Sequence, residues 1–117
     1  SLEFFPPRTA AGVKNLDARL DRMKAAKPLF VDYTWGAGGS TAELTLDLTI
    51  GAKENHGQVP NMHLTCTNMP AEKVDHALEL CKSKGVRNIV ALRGDPPAGS
   101  DTWEATHGGF SCALDLV

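Results

Sequence analysis

Asn88-Ile89-Val90-Ala91-Leu92-Arg93-Gly94-Asp95-Pro96-Pro97 is an apolar run that stops in a cation, a glycine, an anion and two prolines. Ile89 to Leu92 show no polar alternation, which is the pattern of a parallel strand covered on both faces. Gly94 lets the backbone turn or come close to a ligand, and Pro96 and Pro97 end the strand. In βα architectures ligands gather at the carboxyl ends of strands, so Arg93 and Asp95 stand where a site is expected. A surface turn with a local Arg/Asp pair is the plainer alternative, and the rest of the chain has to decide.

Working back, Met62-His63-Leu64-Thr65-Cys66-Thr67 alternates apolar and polar, the period of a strand with two unlike faces. Pro70 is placed as the first residue of a helix whose stripe is Val74, Ala77, Leu78 and Cys81, closed by Gly85. Leu29 to Thr34 form another strand, rich in aromatic and β-branched residues. It runs through Trp35-Gly36-Ala37-Gly38-Gly39 into a helix, with Ser40 and Glu43 as a capping box and Leu44, Leu48 and Ala52 on its inner side, widened by Leu46 and Ile50. At the start, Leu2, Phe4 and Phe5 with Glu3 between them make a short strand ended by Pro6-Pro7. Thr9 then caps a helix bearing Val13, Leu16, Leu20 and Met23 and reaching about Ala26. Forward of the quoted stretch, Gly94 to Gly109 read mostly as loop, and loops of that length are commonly functional. A fourth helix is expected from Phe110.

Strands therefore begin near positions 2, 29, 62 and 86, each followed by a helix or its start, giving four βα units. An open doubly wound sheet and half of a (β/α)8 barrel both fit that order. Strand parity favours the barrel. Glu3, Asp32 and Thr34, with His63, Thr65 and Thr67, lie opposite apolar neighbours, and such a polar face suits a ligand-holding barrel interior better than a bed for helices.

The chain has 117 residues, enough for one modest domain, and its net charge of −2 gives no basis for nucleic acid or an anionic membrane as partner. No apolar run is long enough to span a bilayer, and a cytoplasmic setting is expected. Cys66, Cys81 and Cys112 are odd in number and widely spaced, so reduced thiols are expected, the first two in the core. His63 and Cys66 fall on opposite strand faces, which spoils a metal pair. His56, His76 and His107 read as surface residues. The glycines after Trp35 lack the third glycine of a dinucleotide fingerprint, since Thr41 stands in its place. Trp35 itself suits either stacking on a planar ligand or ordinary packing. Glu3 is either a buried general acid with a raised pKa or a first-strand carboxylate facing water.

Taken together, Leu2-Glu3-Phe4-Phe5-Pro6-Pro7-Arg8, Asp32-Tyr33-Thr34-Trp35-Gly36, His63-Leu64-Thr65-Cys66-Thr67 and Ala91-Leu92-Arg93-Gly94-Asp95-Pro96 resemble the methylenetetrahydrofolate reductase family, and Gly36-Ala37-Gly38-Gly39-Ser40-Thr41 with Gly108-Gly109-Phe110 is most similar to its plant and other eukaryotic branch. The resemblance implies the first half of a (β/α)8 TIM barrel, with residues 1–117 the N-terminal half of an FAD-dependent catalytic domain that is inactive when isolated. It implies reduction of 5,10-methylenetetrahydrofolate to 5-methyltetrahydrofolate by NADH or NADPH through the flavin, in an enzyme expected to self-associate. By the same resemblance Glu3 is the general acid at the folate N10, and Asp95 is the carboxylate that holds folate and stabilises the iminium cation. Thr34, Trp35, His63, Arg93, Gly94, Asp95, Cys112 and Ala113 take FAD-contacting positions, Cys112 standing where several relatives have tyrosine. Glu3, Phe4, Phe5, Pro6, Pro7 and Arg8, with Thr34 and Asp95, take substrate positions. A non-catalytic βα module that binds a nucleotide or flavin is the alternative from another class.

Overall fold

A computed structural model of the chain describes residues 1–36, 41–97 and 99–117. Four strands, β1 (Leu2–Phe4), β2 (Val31–Tyr33), β3 (Pro60–Thr65) and β4 (Asn88–Leu92), form one sheet in the order β1-β2-β3-β4, with every neighbouring pair parallel. Helices α1 (Ala10–Met23), α2 (Ala42–Glu54) and α3 (Ala71–Ser83) make the crossovers. A doubly wound sheet reverses its strand order at a switch point, whereas a barrel adds each strand beside the last. The order here is the steady progression of the first half of a (β/α)8 barrel.

Local chemistry explains most of the boundaries. The Thr9 hydroxyl accepts from the Gly12 N–H at 3.0 Å and starts α1. A 3₁₀ turn, Lys24–Ala26, continues α1 until Lys27 adopts φ +47 and ends it. Pro70 is one residue earlier in role than expected: it is extended, with ψ 150, and the helix starts at Ala71. Gly85, at φ +68, closes α3 as expected. The Ser40 cap and residues 37–39 before it lie outside the described residues. Thr41, the residue just before α2, makes no capping bond there; its hydroxyl accepts from the Gly36 N–H at 2.8 Å.

The inner stripe of α2 departs from expectation. Thr45, Leu46, Thr49 and Ala52 are buried, while Leu44, Leu48 and Ile50 are only half-buried. Counting apolar residues missed this because the two threonine hydroxyls satisfy themselves on carbonyls, Thr45 on Thr34 at 3.2 Å and Thr49 on Thr45 at 2.7 Å. Two further expectations are corrected. β4 is not covered on both faces; among the described residues it pairs with β3 alone, and Leu92 is exposed. From Phe110 onward the chain makes only a short 3₁₀ helix, Ala113–Leu116.

The core lies between sheet and helices in two clusters. One gathers Phe4, Leu16, Leu20, Val31, Tyr33 and Ala52; the other includes Trp35, Leu46, Met62, Leu64, Val74, Ala77 and Cys81. Fully burying each large apolar side chain is worth roughly 1.5–3 kcal/mol. That one layer holds the units together, which frees the opposite face of the sheet to be polar.

Candidate functional site

On the face away from the helices, register sets Glu3 beside Asp32, Asp32 beside Asn61 and Asn61 beside Asn88. Partners in a parallel ladder share a face, so these four form a polar row across all four strands. Asp32 accepts from Asn61 Nδ2 at 2.7 Å and lies 3.4 Å from His63 Nε2. Toward the carboxyl ends the row gives way to Thr34 and His63, and then to Thr65 and Thr67.

Above this a cavity of about 360 Å³ opens at the strand ends, and it brings together Thr34, Trp35, His63, Arg93, Gly94 and Asp95. Gly94 makes the tight part of its wall. Its φ is +87, and a Cβ there would stand 2.6 Å from Thr67 Oγ1 and 2.9 Å from Thr65 Cβ, so the position takes glycine for both conformation and space. Thr67, 2% exposed, ties the turn to β3: its hydroxyl lies 2.8 Å from the Asp95 carbonyl and 3.2 Å from that of Arg93. Arg93 and Asp95 keep their charged ends exposed. The arrangement presents one cation, one carboxylate and an imidazole around a strand-end cavity.

Not every expected residue joins this group. Glu3, Phe4, Phe5, Pro6, Pro7 and Arg8 line a separate groove of about 470 Å³ against α1. Glu3 is exposed on β1, the water-facing one of its two alternatives: among the described residues β1 has a neighbouring strand on one side, β2. The Trp35 indole packs in the core beside Leu46, Met62 and Met69, which is the packing role, although the residue also reaches the cavity. Cys112 and Ala113 begin the last 3₁₀ helix behind the end of β3, where Cys66 Sγ donates to the Cys112 carbonyl at 3.4 Å. Burial, helped by nearby Cys112 and Asp115, pushes the Cys66 thiol up. Asp115 is held low by the Ser111 hydroxyl and amide, 2.7 and 2.9 Å from its Oδ2.

Three features escaped the sequence. Trp103, from the long loop, donates Nε1–H to Thr67 Oγ1 at 2.9 Å and lies under the Arg93 guanidinium at 5.2 Å; its only signal was an aromatic residue in a polar segment. The hydrogen bonding of Asp32 to Asn61 could be found only from strand register. His56, expected at the surface, is 7% exposed and bonded to Asp17 and Asp21; no local pattern marks a contact across 35 residues or more.

A sequence model of methylenetetrahydrofolate reductase matches residues 1–117. The chain is 58% identical over its full length to methylenetetrahydrofolate reductase (NADH) 1 of Zea mays and 56% identical to the protein of that name from Arabidopsis thaliana. It is 38% identical, over 86% of its length, to 5,10-methylenetetrahydrofolate reductase of Escherichia coli. The chain spans 20% of the length of the two plant proteins and 34% of the bacterial one. A match of this identity across the whole chain, on a sheet that progresses as half a barrel, fixes the lineage: the chain belongs to the methylenetetrahydrofolate reductase family.

Proposed function

We propose that this chain is the first half of the catalytic barrel of a flavin-dependent reductase. The full-length protein would reduce 5,10-methylenetetrahydrofolate to 5-methyltetrahydrofolate with NADH or NADPH; the NADH in the names of the plant relatives favours NADH. The observation that carries this reading is the convergence of Thr34, His63 and the Arg93-Gly94-Asp95 turn on one strand-end cavity, in a chain of that family.

The residues present suit part of an FAD site. Gly94 leaves a surface that a Cβ would fill, Arg93 offers a cation for phosphate, and His63 and Thr34 offer polar contacts along the wall. FAD, when bound, supplies the acceptor that takes a hydride from the nicotinamide and passes it to folate. Asp95, an acceptor-only carboxylate on the same turn, is assigned to holding folate and opposing the positive charge that develops when its five-membered ring opens. Glu3 is assigned to protonating N10, which opens that ring. Cys112 and Ala113 are assigned to the rim of the flavin site.

A second reading, a βα module that binds a flavin or nucleotide without catalysis, draws on the separation of Glu3 from the cavity into its own groove. The two are told apart in the full-length protein held without oxygen. The reductase reading expects NADH or NADPH to bleach bound FAD and 5,10-methylenetetrahydrofolate to restore its colour. Bleaching without restoration supports the binding module.

A further inference from the structure

A threonine hydroxyl has one hydrogen to give and two lone pairs. Around Thr67 Oγ1 stand the Asp95 carbonyl at 2.8 Å, the Arg93 carbonyl at 3.2 Å and Trp103 Nε1 at 2.9 Å. The indole nitrogen can only donate. Thr67 must therefore receive that bond on a lone pair and turn its hydrogen toward the two carbonyls of the turn. The same indole lies 5.2 Å from the Arg93 guanidinium carbon, within reach for attraction between a cation and a ring face. One side chain, supplied by a loop later in the chain, thus grips the Arg93-Gly94-Asp95 turn twice, through its backbone by way of Thr67 and at its cation directly. Trp103 is half-buried and Arg93 exposed. Without the ring, the guanidinium would be a long side chain free to swing in solvent.

We propose that Trp103 is the positioning residue of this cavity: it holds Arg93 in place to receive the anionic phosphate part of a dinucleotide ligand, and it acts through Arg93 without touching that ligand. This rests on the flavin reading above for the ligand's identity, but not for the grip itself.

The test is a double-mutant cycle on the full-length protein, with FAD binding followed by quenching of flavin fluorescence. Trp103→Leu should weaken FAD binding about tenfold in the native background and less than about twofold in an Arg93→Ala background, because the ring then has no cation left to hold and keeps only its bond to Thr67. Trp103→Phe, which keeps a ring face and loses the N–H, should fall between the native protein and Trp103→Leu. An equal loss in both backgrounds, or no loss in the native one, would overturn the proposal. A readout without flavin separates the two ideas. In protein labelled at arginine, the ring should shift the Arg93 side-chain proton resonances upfield, and Trp103→Leu should abolish that shift. If the protein takes up no FAD while the shift is present, the flavin reading falls and the grip stands; an unshifted Arg93 in the native protein sinks the grip.

Discussion

His56 and Asp21 share a hydrogen bond of 2.9 Å between the end of α2 and the last turns of α1, and the other ring nitrogen of His56 meets Asp17 at 2.8 Å. The clamp joins two neighbouring βα units on the outer face of the barrel, away from the cavity. Hydrogen bonds from Lys24 first, and then from His56, hold the Asp21 carboxyl below the ordinary carboxylate range.

A folded-state pKa below the unfolded one gives stability that is present above the unfolded value and lost as pH falls through the folded one. Asp21→Asn should therefore flatten the acid limb of stability, read as the urea midpoint from about pH 5 downward. Near neutral pH the variant should be somewhat less stable than the native protein. Parallel acid limbs would show that the carboxylate has no special partner in solution.

Gly94→Ala tests the turn. The added methyl would meet Thr67 Oγ1 and Thr65 Cβ at a φ of +87, and a backbone strained in that way costs roughly 1–3 kcal/mol. The expected result is a folded protein with a lower denaturant midpoint and clearly weaker FAD binding. Unchanged flavin affinity would mean that the turn does not shape the cofactor site.

Much of this was legible beforehand, and for identifiable reasons. The alternation in Met62 to Thr67 placed Met62, Leu64 and Cys66 in the core and His63 on the other face, as found, because period two leaves a side chain no choice of face. Strand endings marked by glycine and proline located the cavity for the same kind of local reason. The α2 stripe was misread because buried Thr45 and Thr49 look polar until their bonds to carbonyls are seen. His56 and the Trp103 indole N–H work through hydrogen bonds to partners 35 or more residues away in sequence, which no local pattern encodes. Glu3 stayed open in the sequence because a carboxylate on a short first strand suits either a buried or a water-facing position, and only the strand order, with β1 at one end, shows it exposed.

Asp95→Asn keeps the shape of the cavity wall and removes the charge assigned to oppose the folate cation. Folding and the Thr67 bond to the Asp95 carbonyl at 2.8 Å should survive, since that bond uses the backbone. Folate turnover should fall by about 10²-fold, the scale of losing one electrostatic contact in a transition state. Steady-state kinetics at saturating nicotinamide would show it, and native rates would return the Arg93/Asp95 pair to a surface ornament.

The most direct measurement times the two halves of the reaction separately, in the full-length protein and in Glu3→Gln, by rapid mixing without oxygen. The native protein should show flavin bleached by nicotinamide and then restored by 5,10-methylenetetrahydrofolate. Glu3→Gln keeps the side chain's shape and removes its proton, so bleaching should proceed at close to the native rate while restoration slows by at least ~10²-fold, the contribution of a general acid. Flavin that folate never restores in the native protein would contradict the reductase assignment. Equal slowing of both halves, or of neither, would contradict the role given to Glu3.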